Sequence, residues 1–265
     1  MQIKTLGLKK LNNTRDLGGF PAEDGKKIKY GKLLRSGRLY KLPKHTKALL
    51  EQAGVTTVID LRTETERQEY PDTVLSGAKY LTIPLLCTVT TGITYTKHMA
   101  RTMLNESKRI KNEFGTADAY MIKMYESILF DELSQQRLKE FFDAVTKDEN
   151  CVLWHCNAGK DRAGICAMLL ESVLGVDKEL IIKDYCASKD FQLTRRFWQR
   201  AGLIVLPAPR YFKRILIALM ESKPQYIMGA IEKAEEKYGS VTEYCKQALG
   251  ISEEQIQTLK NKYLE

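Results

Sequence analysis

The sequence lacks close cysteine pairs. It holds six cysteines, at positions 87, 151, 156, 166, 186 and 245, and no two of them form a C-x-x-C unit. That excludes the usual zinc knuckle and the redox dithiol, and no metal or other cofactor is expected. Long apolar runs are missing as well: no window approaches the roughly 18 residues of a membrane span. The segment Met1-Gln2-Ile3-Lys4-Thr5-Leu6-Gly7-Leu8 has no apolar h-region or small-residue cleavage site. A cytoplasmic location is therefore the default, export by another route leaving no such trace. Internal repeats, low-complexity linkers and basic strands interleaved with aromatics are absent, so single-stranded nucleic acid is not an expected partner.

What is present is ordinary in bulk: 265 residues, 43% apolar and 28% charged, with a formal net charge of +9. This suits one sizeable core and a surface that attracts anions. Local basic groups stand at Lys26, Lys27, Lys29 and Lys32 and at Arg195, Arg196 and Arg200.

The informative stretch runs from Cys151 to Gly164. Cys151-Val152-Leu153-Trp154-His155 reads as a buried strand, and an apolar pattern at Ile165, Met168, Leu169 and Val173 reads as a helix. Between them a short loop carries Cys156 and, six positions on, Arg162. A strand–loop–helix turn aims backbone N–H groups at the positive end of a helix dipole, which makes an oxyanion site. The guanidinium of Arg162 can fork two phosphate oxygens, and the same field favours a thiolate at Cys156. The residues thus point to nucleophilic capture of a phosphoryl group by a sulfur that must be open to its substrate. The plainer reading of Cys156 is a small buried hydrophobe, and that of Arg162 a surface ion pair. Gly159-Lys160 is not part of a nucleotide P-loop, because Asp161 follows and the upstream glycine is missing.

The remaining pattern alternates strands and helices. Gly18-Gly19 marks a turn, Asp24-Gly25 a hairpin leading to Ile28-Lys29-Tyr30, and residues 32–37 a strand. Arg15 and Asp16 read as an ion pair pinning the first segment. A helix is expected from Pro43 to Ala53, stopped by Gly54, and then a strand from Val55 to Arg62 that delivers Asp60 and Arg62 to the sheet's active edge. Glu64, Glu66, Arg67 and Glu69 read as a solvated helical turn; 79–84 is a further strand. Residues 88–130 suggest a helical insertion or lid, 135–147 a helix, Asp177 a cap for the next, and 193–200 and 211–220 two more. Residues 226–265 read as helical closing elements broken at Gly229, Gly239 and Gly250. The expected fold is one α/β domain over 1–265, with a mostly parallel central sheet flanked by helices.

The His155-Cys156-x-x-Gly159-x-x-Arg162 signature resembles that of the protein tyrosine phosphatase superfamily. The fuller His155-Cys156-Asn157-Ala158-Gly159-Lys160-Asp161-Arg162 is similar to bacterial tyrosine phosphatases of dual or triple specificity, of mycobacterial and Listeria type. Asn12-x-Thr14-Arg15-Asp16-Leu17-Gly18-Gly19, Leu34-Arg35-Ser36-Gly37, Asp60-Leu61-Arg62-x-x-x-Glu66 and the segment Tyr244 to Ile251 match further blocks in the family's order. The resemblance implies a phosphatase fold and a cysteinyl-phosphate mechanism. It implies phosphorylated proteins or phosphoinositide head groups as substrates, without insertion into a membrane.

By the same resemblance Cys156 is the nucleophile and Arg162 the phosphate clamp. The loop residues His155, Asn157, Ala158, Gly159, Lys160 and Ala163 line the substrate, Lys160 adding charge at the mouth. Asp161 and Asp60 compete for the general acid. The superfamily has Ser or Thr where this chain has Ala163; a hydrogen bond to a charged group contributes about 1.5–3 kcal/mol, so its loss predicts slow turnover after a burst. The alternative is a weakly active or inactive module that binds phosphorylated ligands. A rhodanese-like sulfurtransferase or an arsenate reductase is disfavoured by the flanking blocks.

Overall fold

The computed structural model describes residues 6, 8, 10–85, 99–148, 150–188 and 207–265. Cys87, the threonine-rich stretch 88–96, and the helix expected at 193–200 with its arginines lie outside them.

Five strands form one sheet: β1 (Arg15–Asp16), β2 (Leu33–Ser36), β3 (Val55–Asp60), β4 (Lys79–Thr82) and β5 (Cys151–His155). Their order is β1-β2-β5-β3-β4, parallel throughout except for the short antiparallel pair β1–β2. The expected mostly parallel sheet is what forms. β5 lies at its centre, and all five of its residues are buried. Its side chains alternate between faces: Val152 and Trp154 enter the larger core, Cys151 and Leu153 the smaller. That alternation with burial on both faces is why the strand reads as an unbroken apolar run. In β3 the register against β5 shifts between Val55 and Thr57. The shift explains why Val55 and Val58, three apart, share the smaller core while Ile59 faces the larger one.

Helices cover both faces. The smaller core is closed by α1 (Lys44–Gln52) through Leu50, and Gly54 ends that helix with φ of 76°. After α2 (Glu64–Glu69) come α3 (Met99–Phe114), α4 (Ala117–Phe130), α5 (Glu132–Lys147), α6 (Asp161–Val173), α7 (Lys178–Ala187) and α8 (Arg210–Met220). The chain ends with α9 (Pro224–Tyr238), α10 (Val241–Gln247) and α11 (Glu253–Tyr263). Asp177 caps α7 as expected, its Oδ1 accepting from Glu179 N at 2.8 Å. α6 is buried at 12 of its 13 residues, so it is a core helix enclosed on every side, where the periodicity predicts a single buried stripe. No helix among the described residues is long and apolar enough to cross a membrane.

The Asp24-Gly25 turn forms with both residues at positive φ, 56° and 69°. The following Ile28 pairs antiparallel with Leu264, so the last residues close over the turn. Gly229 does not break the final helical region; it lies within α9. A Cβ there would sit 2.6 Å from Ile122 Cγ2 of α4, so the glycine serves close helix approach. Gly229→Ala, which in an exposed helix would stabilise by up to about 1 kcal/mol, is expected here to destabilise by about 1–3 kcal/mol through overpacking. Urea unfolding measures it, and Ile122→Ala in the same chain should remove the clash component.

Candidate active site

Parallel pairing brings the ends of three strands into one row. Ser36 and Asp60 both lie opposite His155. The chain segments that follow, from Gly37, Leu61 and Cys156, therefore leave the sheet side by side at its carboxyl edge, where α/β folds bind ligands. The loop Cys156–Lys160 then turns into α6, whose first turn holds Asp161 and Arg162.

Every carbonyl from Asn157 to Lys160 is held from outside the loop. Asn157 O accepts from Arg38 N at 3.2 Å. Ala158 O and Gly159 O accept from Asn13 Nδ2 at 3.2 and 2.7 Å, and Gly159 O and Lys160 O from Arg35 Nη2 at 3.0 and 3.3 Å. Carbonyls turned outward in consecutive peptides leave the amides on the opposite, inner side, the arrangement of an anion nest. Gly159 has φ of 66°, and a Cβ on it would lie 2.5 Å from the Ser36 carbonyl carbon. Only glycine fits there. The Cys156 residue is 2% exposed, much less open than the sequence reading requires.

Arg162 is 1% exposed. Its Nη1 and Nη2 meet both oxygens of Glu66 at 2.8 Å, and Nη1 also donates to Leu61 O. Burial would lower its pKa, but the Glu66 carboxylate outweighs burial and the net direction is upward. Glu66 is fully buried, which corrects the expectation of a solvated turn; only the charge-rich flanks of α2 behave so. The signal was in the sequence, as the last residue of the Asp60-x-Arg62-x-x-x-Glu66 block.

A second cluster joins Asp60, Arg62, Asp72 and His155. Arg62 Nη2 lies 2.7 Å from Asp60 Oδ2 and 2.8 Å from Asp72 Oδ2. Asp60 Oδ1 accepts from Arg62 N and Nε, both at 2.9 Å. Burial would raise the Asp60 pKa, but the charge of His155 and the Arg62 bonds bring it down to about 2. His155 is buried, and its Nε2 stands 3.0 Å from Asp72 Oδ2. Burial lowers its pKa, yet Asp72 and Asp60 more than offset that and the net direction is upward. Asp60, Asp72 and His155 are close enough to share a cation. The donor set does not suit a metal, because the Arg62 guanidinium already fills the space between the two carboxylates.

Asp161 lies outside this cluster. Its Oδ1 accepts from Tyr125 OH at 2.5 Å, and Tyr125 OH in turn lies 2.7 Å from Tyr185 OH. Burial first, then the Asp161 charge, pushes the Tyr125 pKa well up, so this phenol stays a donor. Lys160 is 1% exposed, which overturns its expected place at the mouth. Its Nζ donates to Leu219 O and Glu221 O, at 2.7 Å each, and lies 3.3 Å from Asp161 Oδ1. It is drawn inward by the carbonyls at the negative end of α8, a favourable seat for a cation. Ala163 is buried, its carbonyl accepting from Trp154 Nε1 at 3.0 Å.

Behind the loop is a set that sequence reasoning missed. Arg15 does not pair with Asp16, whose carboxylate instead accepts from Gly18 N and Gly31 N. Arg15 and Arg35 share Asp184, with Nε and Nη1 at 2.7 and 2.6 Å from its two oxygens. Burial would raise the Asp184 pKa; the two guanidiniums outweigh it and hold the group ionised. Glu171 lies in the same field, and neither of its buried oxygens makes a hydrogen bond among the described residues. Burial, reinforced by Asp184, pushes its pKa well up against the opposing pull of Arg35 and Arg15. Of the other cysteines expected as filler, Cys151, Cys166 and Cys245 are buried and Cys186 half-buried; burial pushes the Cys151 thiol up to about 12.

The sequence model of a family described as the tyrosine phosphatase family matches residues 6–265. The chain belongs to that family. A protein named as a tyrosine-protein phosphatase in Cupriavidus necator is 27% identical over 262 residues, covering 96% of this chain and 86% of the relative. Triple specificity protein phosphatase PtpB of Mycobacterium tuberculosis is 26% identical over 271 residues, covering 95% and 96%. The crystal structure of P. aeruginosa TpbA aligns at 18% identity with a TM-score of 0.30, over 61% of this chain and 71% of that one.

In this phosphatase, Asp184→Asn leaves two buried guanidiniums without their counter-charge and is expected to destabilise by about 3–5 kcal/mol. Glu171→Gln, an isosteric change at a side chain whose pKa burial pushes well up, is expected to shift stability by less than about 1 kcal/mol. Equilibrium urea unfolding of both variants at pH 7 checks the contrast.

Proposed function

We propose that this tyrosine phosphatase hydrolyses phosphate monoesters through a cysteinyl-phosphate formed on Cys156. The observation that carries the reading is the outward anchoring of four successive carbonyls from Asn157 to Lys160 around the sulfur. That anchoring supports an inward nest of amides for three phosphoryl oxygens, with Arg162 fixed alongside by Glu66. Sγ of Cys156 attacks phosphorus, the ester P–O bond breaks, and the leaving oxygen takes a proton from Asp161. A water then attacks phosphorus, giving its proton back to Asp161. The S–P bond breaks, inorganic phosphate leaves and the thiolate is restored.

Asp161 is preferred to Asp60 as the acid. Burial opposes ionisation of Asp60, but the charge of His155 and the bonds from Arg62 to both its oxygens outweigh it and hold its pKa low. A carboxylate so engaged orients the Arg62–Asp72–His155 cluster rather than delivering a proton. Ala163 supplies no hydroxyl for the second step, which keeps the expectation of a burst before slow turnover. The substrates in this reading are phosphotyrosine proteins, with phosphoserine, phosphothreonine and phosphoinositides as further candidates; the triple specificity in the name of the mycobacterial relative favours that breadth.

Because Cys156 is buried, access to the sulfur is tested directly. Iodoacetate, an anion of the right charge for the nest, is expected to alkylate Cys156 and abolish p-nitrophenyl phosphate hydrolysis, with inorganic phosphate protecting. Activity surviving alkylation, or surviving in Cys156→Ser, would overturn the mechanism. Asp161→Asn is expected to cost about 10²–10⁴ in kcat on aryl phosphates with poor leaving groups and much less on p-nitrophenyl phosphate. Asp60→Asn should lower both alike; the opposite pattern would move the acid to Asp60.

A further inference from the structure

The acid proposed above, Asp161, receives its two donors on one oxygen. Tyr125 OH donates to Oδ1 at 2.5 Å, and Lys160 Nζ stands 3.3 Å from the same atom. Among the described residues no donor meets Oδ2. Tyr125 lies on α4, in the stretch that reads from sequence as an insertion, and it is fully buried. A phenol has one proton to give, and that of Tyr125 goes to the carboxylate. In the 2.7 Å contact between the two phenols it is therefore Tyr185 OH that donates to Tyr125 OH. Burial first, and then the Asp161 charge, pushes both phenols well up in pKa, so both keep their protons.

The packing holds this chain of hydroxyls in one direction. Tyr125 meets the Tyr185 ring edge-on at 5.8 Å and the tilted ring of Tyr226 at 6.3 Å. Tyr226 OH is bonded to Asp118 Oδ1, at 2.6 Å, and so is not a rival donor for Asp161. Tyr185 approaches α6 closely where Gly164 has no side chain: a Cβ there would lie 3.3 Å from Tyr185 Cδ2. The preceding residue, Asp184, holds Arg15 and Arg35, so adjacent residues of α7 brace the loop and the acid.

We propose that Tyr125 is a positioning residue for the reaction: it anchors Oδ1 of Asp161 and leaves Oδ2 as the oxygen that carries the proton to the leaving group, with Tyr185 keeping its hydroxyl aimed at the carboxylate. The inference rests on the reading of Asp161 as the acid. Oδ1 can accept the phenolic hydrogen both as the carbonyl oxygen of a carboxylic acid and as half of a carboxylate. The anchor therefore persists through the cycle. When the ester P–O bond breaks, the proton on Oδ2 passes to the leaving oxygen. When water attacks the phosphoenzyme its proton returns to Oδ2, and the phenolic hydrogen stays on Tyr125 throughout. Without the phenol, the broad terminal torsion of an aspartate lets the proton-bearing oxygen turn away from the substrate.

The experiment compares phenyl phosphate, whose phenolate needs a proton as it leaves, with p-nitrophenyl phosphate, whose nitrophenolate needs one far less. The readout is the ratio of kcat/KM for p-nitrophenyl phosphate to that for phenyl phosphate, which reports the P–O step even where breakdown of the phosphoenzyme limits kcat. Each ratio is taken within one preparation, so incomplete folding of a variant cancels, and a purely structural role would leave the ratio unchanged. Tyr125→Phe, which removes one oxygen, is expected to raise the ratio about tenfold, and Tyr185→Phe about two- to threefold. Asp161→Asn raises it by itself, and adding Tyr125→Phe to that variant is expected to change it by less than about twofold. A ratio untouched by Tyr125→Phe while Asp161→Asn raises it would overturn the anchor and leave the acid assignment standing. A full further rise in the double variant would overturn the anchor too, because the phenol would then act by another route. If neither single variant moves the ratio, the acid assignment falls and the anchor falls with it.

Discussion

Four arginine side chains, Arg15, Arg35, Arg62 and Arg162, are sealed inside this protein near the carboxyl edge of the sheet, and the rest of the structure depends on how each is matched. Taking a guanidinium out of water costs several kcal/mol even after relaxation, and only close carboxylates with good geometry offset it. Glu66 answers Arg162, Asp60 and Asp72 answer Arg62, and a single Asp184 answers both Arg15 and Arg35. The last of these is an imbalance. The pKa of Glu171, which lies in the field of both guanidiniums, is pushed well up by burial and by Asp184. Among the described residues both guanidiniums turn to that one carboxylate, and Arg35 is bonded directly to the carbonyls of Gly159 and Lys160. In the proposed reading, an anion held in the loop gains from the positive charge of Arg35, since buried charges are weakly screened.

The same pairs brace the loop from outside. Asn13 and Arg15 come from β1 and the turn before it, Arg35 from β2, Asp184 from α7 and Glu66 from α2. Asn13 and Arg35 reach the loop carbonyls, Glu66 reaches Arg162 in the first helical turn, and Arg15 and Asp184 brace Asn13 and Arg35 from behind. The N-terminal elements are in turn fastened by the chain's end, where Lys27 and Glu265 exchange backbone hydrogen bonds of 3.0 and 2.9 Å. Loop geometry is therefore a property of the whole molecule, and the glycine at 159 is what allows the backbone to pass within contact of Ser36.

The strand, loop and helix around Cys156 were legible because their signals are local: an apolar run, a turn and a helical period. The parallel sheet followed from alternation of such units. What was not legible is the destination of long charged side chains. Arg15 reads as a partner for its neighbour Asp16, yet its true partner is 169 positions away; Arg162 finds Glu66 at a separation of 96, and Lys160 finds α8 at 59. Periodicity carries no information about such pairings, because a lysine at a loop tip and one folded into a helix end look alike in sequence. Gly229 failed for a related reason. A glycine is a helix breaker only where nothing rewards its missing side chain, and here α4 does.

Two aspartates near one edge of the sheet illustrate how environment divides chemistry between like groups. Asp60 is surrounded by cations: Arg62 contacts both its oxygens, and His155 is raised in pKa by the very carboxylates it faces. Each proton that His155 retains strengthens the hold on Asp60, so the cluster is self-consistent and resists changing its protonation. Asp161 has a different neighbourhood, a neutral phenol donor on one side and a single ammonium whose charge is shared with two helix-end carbonyls. In the proposed mechanism the acid gives up a proton and then recovers it, and a carboxylate locked by two strong partners would have to break them in each cycle.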